Sequence, residues 1–177
     1  AIRPHVLGSF RELLFAATQH PAMLVYLNNA TSVGPNSRAG QRREAGLNEN
    51  HARELMELHT LGVAGGYTQA DVTSLAKILT GWSVDRDEKA ESGSYGRFQF
   101  RKQAHEPGMH ELLGTRFAEE GRKQGEAALD LLATHPATAR HIADKLARHF
   151  VADVPPPALV DRLAATFTET GGDLLAV

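Results

Sequence analysis

The residues of this chain best equipped for chemistry cluster between positions 48 and 60. His59, Glu54 and Arg53 offer an imidazole, a carboxylate and a guanidinium on one short stretch. An imidazole titrates near neutral pH and serves as general base or metal ligand. The plainer alternative is a core histidine bonded to a carboxylate or a backbone carbonyl, because buried polar groups find partners. His51 and His59 lie eight residues apart, roughly 12 Å along a helix at ~1.5 Å per residue, too far to share one metal. The zinc-protease pattern HExxH is absent.

Two further groups invite a chemical reading. In His105-Glu106-Pro107-Gly108-Met109-His110-Glu111, imidazoles and carboxylates crowd a Gly-Pro turn and could gather round a divalent cation, with His105 as the metal candidate. The competing reading is a polar turn between two strands. Arg38, Arg42 and Arg43 stand among glycines in a loop just ahead of a helix start at Asn48. Guanidinium groups there would grip a phosphate, sulfate or carboxylate, although a charged loop is also simply well solvated. The chain holds no phosphate-binding Gly-rich loop, no GxSxG elbow, and no pair of acids that spacing places face to face.

Hydrophobic spacing predicts the elements that must carry these groups. Residues 5–19 read as a helix through Val6, Phe10, Leu13, Leu14 and Ala17. His20-Pro21 interrupts it, and proline suits the first position of a new helix over 22–27. Periodicity vanishes from 28 to 46, a long Gly/Asn/Ser-rich loop. Residues 48–61 form the next helix, with Asn48 as N-cap and Gly62 as stop. On its wheel Glu49, Arg53 and Glu57 make an exposed ion ladder. His51, Ala52, Leu55, Leu58 and His59 face inward. Thr68 and Asp71 cap a helix bearing Val72, Leu75, Ile78 and Leu79.

Trp82-Ser83-Val84 and Phe98-Gln99-Phe100 have the look of short strands, with 112–117 as a third. Helices return over 124–134, over 136–151, where Ala139, Ile142, Ala143, Leu146 and Phe150 face the core, and in a last helix that begins with Leu159, Val160, Leu163, Ala164 and Phe167 and is closed by Gly171-Gly172. Between the last two stands the stiff run Pro155-Pro156-Pro157. LLFAATQHPAM and LDLLATHPAT echo each other as helix, His-Pro-Ala, helix, which is punctuation by proline at a helix start.

Composition narrows the classes. With 177 residues, 42% hydrophobic and 23% charged, the chain is long enough for one domain with a real core. A net charge of −2 gives no bulk case for nucleic acid or a membrane surface. No apolar run approaches the roughly 20 residues of a transmembrane helix. No cysteine is present, which removes disulfides and thiolate chemistry and suits periplasm or cytoplasm alike.

Three segments together, NENHARELMELHTLGVAGGYTQADV, LAKILTGW and KLARHFV ahead of the proline run, resemble the bacterial family of domain of unknown function 1800. The likeness spans nearly the whole chain. It picks out Asn48, Glu49, Asn50, Arg53, Glu54, Glu57, His59 and Thr60, and His105 with Gly108 as an HxxG turn. His110 departs from the lysine that the family favours. The resemblance implies an uncharacterised family of longer chains, often encoded beside an exported phosphatase- or sulfatase-like protein. In that case the present chain is an incomplete portion lacking an N-terminal part and the last helices.

The expectation is a mainly α, multi-helical single domain over 1–177, with a small antiparallel hairpin or three-stranded element near 82–117. The leading functional expectation is a binding or accessory module acting with a partner protein. The alternative is a metal-assisted hydrolase with Glu54, His59 and Arg53 at its site near the 48–60 helix, His105 as a metal ligand, and a divalent metal as cofactor. Whether the chain is an enzyme at all stays open at this point.

Overall fold

A computed structural model describes residues 2–42, 46–88 and 94–177. The expected Arg43 lies outside the described residues. Seven α-helices and two small antiparallel sheets make up the regular structure there, a mainly α architecture.

Helix α4 (Gln69–Ile78) is the centre of the core. Its apolar residues recur every three or four positions, so Val72, Leu75, Ala76 and Ile78 fall on one buried side, continued by Leu79 and Trp82. The Thr68 hydroxyl accepts from Asp71 N while Asp71 accepts from Thr68 N, the reciprocal cap expected from the sequence. Asp71 also accepts from Leu113 N at 2.8 Å, tying the helix start to a distant turn.

Around α4 pack α1 (Phe10–Thr18), α2 (Pro21–Tyr26), α3 (Asn50–Glu54) and α5 (Arg122–Thr134). A smaller apolar cluster, Ala143, Ala147 and Val160, joins α6 (Pro136–Phe150) to α7 (Pro157–Glu169). On α6 the alanines 139, 143 and 147 turn inward, four apart. Phe150, expected in the core, is 76% exposed at the last residue of α6.

Strands β1 (Trp82–Val84) and β2 (Phe98–Phe100) pair with Trp82 opposite Phe100. The region 112–117 does not add a third strand to them. It folds on itself, β3 (His110–Leu112) against β4 (Thr115–Phe117), through a turn in which Leu113 and Gly114 both take positive φ. The His-Pro echo also has a physical basis. His20 Nδ1 accepts from Ala22 N at 3.2 Å and His135 Nδ1 from Ala137 N at 3.1 Å, so each histidine caps the helix whose first residue is the following proline.

Helix α5 approaches the core through Gly125. A Cβ there would sit 2.6 Å from Trp82 Cζ2, inside van der Waals contact with a fully buried indole. Gly125→Ala gains about 1 kcal/mol of helix propensity but overpacks the core at a cost of about 2 kcal/mol. A net loss of about 1 kcal/mol is expected in urea unfolding; a stabilised variant would show that the indole has room to yield.

Candidate functional site

The segment 48–60 departs from the continuous helix read from its spacing. Asn48 does not cap by the usual route: Glu49 occupies the N-cap position, and Asn48 Oδ1 accepts from Asn50 N at 3.0 Å. Helix α3 then passes at Leu55 into a π-helical turn, Leu55–His59. Thr60 Oγ1 donates to Leu55 O at 2.8 Å and closes it. A π-turn holds more than four residues, so every side chain after Leu55 lags the α-wheel. Leu58, expected inside, is therefore 48% exposed. Its carbonyl accepts from His141 Nε2 of α6 at 3.2 Å.

The same rotation dissolves the expected ladder. Arg53 pairs with Glu49 at 3.3 Å, but no ion pair joins it to Glu57 among the described residues. Glu49 is no solvated rung either. Its carboxylate accepts from Thr73 Oγ1 at 2.6 Å and Gln69 Nε2 at 2.8 Å, both on α4. The Thr73 hydroxyl, then the Gln69 amide, hold its carboxyl below the usual carboxylate range, with Arg53 assisting against burial. Arg53 Nη2 also donates to Gln69 Oε1 at 2.8 Å. Glu49 and Arg53 thus form a clamp between α3 and α4.

His51 and His59 turn out differently. His51 is buried with no hydrogen-bond partner on either ring nitrogen, and burial, followed by the nearby His59, pushes its pKa down to about 4. His59 is half-buried. Burial lowers its pKa, the Glu54 carboxylate works against that, and Lys145 of α6 adds to the lowering. Among the described residues no three His, Asp or Glu side chains group so as to hold a metal ion.

His105 belongs to a second assembly. After β2 the chain runs through a strap, 101–106, with a 3₁₀ turn at Lys102–Ala104. His105 is buried, and its Nδ1 lies 2.9 Å from Thr80 O. A carbonyl only accepts, so Nδ1 carries the hydrogen of this bond. Nε2 is buried without a partner among the described residues. Glu106 N donates to Thr80 Oγ1 at 2.7 Å, and the buried Glu106 carboxylate accepts from Asn36 N at 2.8 Å and Asn36 Nδ2 at 2.6 Å. His110 is lowered by burial, against the pull of the Glu106 carbonyl and carboxylate.

This strap organises the arginine loop. Asn29, buried at the loop's start, donates Nδ2 to Leu79 O at 3.1 Å and Trp82 O at 2.9 Å, anchoring it to the end of α4. Gly34 N donates to Ala104 O at 2.9 Å and Ala39 N to Gln103 O at 2.8 Å. Gly34 sits so close to Glu106 that a Cβ would lie 2.6 Å from its Cα. Held this way, Arg38 and Arg42 line one cavity of about 500 Å³ with Arg101 and Gln103 of the strap. Among the described residues no carboxylate lines it, and none of the three arginines has an ion pair. Spacing alone could not find Arg101. It lies some 60 positions from the loop, and the two backbone bonds between loop and strap, with the Asn36–Glu106 pair, bring it there.

No helix of the described residues is long and apolar enough to cross a membrane. No curated protein and no solved structure matches this chain. The family described as "Protein of unknown function (DUF1800)" matches residues 1–177, the entire length, and the chain belongs to that family.

Proposed function

We propose that this chain is a binding module that captures an anionic group, a phosphate, sulfate or carboxylate, between Arg38, Arg42 and Arg101. One observation carries the reading: three guanidinium groups without acidic partners among the described residues line a single cavity of about 500 Å³ in a chain whose net charge is −2. Like charges gathered in one concavity repel, and an anion offsets that repulsion while offering acceptors to planar donor forks. An accessory role beside a partner protein rests on the family resemblance and goes with this reading.

A metal-assisted hydrolase centred on Arg53, Glu54 and His59 has less to stand on. The Arg53 guanidinium is engaged by Glu49 and Gln69, and His105 is bonded to Thr80 on a separate segment.

Calorimetric titration with inorganic sulfate and phosphate tests the reading. Arg42→Ala and Arg101→Ala should each weaken binding by roughly tenfold to a hundredfold, the range for one charge-assisted hydrogen bond. Removing unpaired arginines should leave the melting temperature nearly unchanged. If the native chain binds neither anion at low salt, or the variants bind as it does, the assignment fails.

A further inference from the structure

The arginine cavity has a neighbour across the strap. Arg101 and Gln103 face the first cavity, whereas Phe100, Lys102 and His105 line a second, of about 440 Å³, completed by Glu119 and Glu120. Arg38 lines both, so it stands on the ridge between them.

The second cavity has a different chemistry. Glu119 accepts from Gly108 N at 3.0 Å, and the side chains of Glu120 and Lys102 have no partner among the described residues. A second anion placed here would meet two carboxylates. A bare ammonium would meet Lys102, Arg38 and Arg122, the last paired with Glu126 at 2.6 Å. Hydroxyl groups meet neither objection, because each donates to a carboxylate and accepts from an ammonium or guanidinium. One more feature fits a compact polyol. Phe100, wedged between Gly81 and Gly121, adds a rigid apolar contact of the kind that suits the C–H surface of a sugar ring.

Building on the anion reading above, we propose that the ligand is a monosaccharide bearing a phosphate, sulfate or carboxylate group. Arg38, Arg42 and Arg101 hold its anion. Lys102, Glu119 and Glu120 take its hydroxyls on the other side of the ridge.

Titration calorimetry on the full chain with glucose 6-phosphate, glucose 6-sulfate and glucuronate, each beside phosphate, sulfate, acetate and plain glucose, tests this. At least one charged sugar should bind ten times or more tighter than its own free anion. The double variant Lys102→Gln, Glu120→Gln should remove most of that advantage. If the free anions bind and Arg42→Ala weakens them, but no charged sugar binds tighter, the saccharide proposal is overturned and the anion pocket stands. A sugar advantage that survives the double variant overturns the assignment of the second cavity. Binding of none of the seven compounds overturns both readings.

Discussion

Glu106→Ala should lower stability by about 3 kcal/mol, the cost expected when a buried charged acceptor is removed and its donors are left unsatisfied. Both oxygens of Glu106 accept from Asn36, one from its backbone N and one from its side-chain amide. Alanine abandons both donors and opens a hole where the carboxylate was. For a chain of this length the loss corresponds to a drop of roughly 9 °C in melting temperature.

Glu106→Gln should not rescue it, because an amide has one acceptor where two donors wait. The lesion should reach the arginine-lined cavity as well, since the loop that Asn36 belongs to carries Arg38 and Arg42. Gly34→Ala approaches the same contact from the opposite side. Its new methyl would lie 2.5 Å from Glu106 Oε2 and 2.6 Å from Glu106 Cα, and backbone cannot swing aside. Scanning calorimetry and sulfate titration of the three variants read both effects. A Glu106→Ala chain that melts and binds as the parent does would refute the strap's role.

Acidification should weaken the protein through His51. In the unfolded chain this imidazole takes up a proton as the pH falls below about 6.5; buried in the fold, it stays neutral until about pH 4. Between those values the unfolded state binds more protons, so stability falls as the pH drops and levels off once both forms are charged. The window amounts to about 3 kcal/mol. His59 and His110, both also lowered, add losses of the same sign. Urea unfolding at pH 7 and pH 4.5 measures the slope. His51→Leu removes the titrating group and two buried unpaired nitrogens together. That variant should match or exceed the parent at pH 7 and lose much less at pH 4.5. Equal losses in parent and variant would show that the ring is not the source.

How far the sequence foretold this structure depended on how local the cause was. The α4 helix was legible from end to end: its Thr68–Asp71 cap and its apolar stripe are set within a few residues. The strands Trp82–Val84 and Phe98–Phe100 were legible for the same reason. The π-turn at Leu55–His59 was not. It is stabilised by a Thr60 hydroxyl and by His141 from another helix, and a wheel drawn at a constant angle has no place for it. That is why Leu58 was misplaced while His51 and Ala52, ahead of the turn, kept their sides.

The arginine loop illustrates the opposite limit. Its composition announced a loop with cationic side chains. Nothing in its spacing announced Glu106, Thr80 or Arg101, three of the residues that hold it or complete its cavity. Likewise the conspicuous NEN–ARE motif reads as chemistry in isolation, whereas Glu49 and Arg53 serve largely to fasten α3 to α4.

The alternation along the strap has a consequence for redesign. Positions 101 and 103 serve one basin while 100, 102 and 105 serve the other, and both sets hang on backbone bonds that side-chain replacement leaves intact. The lining of one flank could therefore be rewritten by mutagenesis while the opposite flank keeps its shape, so the two basins are separable along the six residues from 100 to 105.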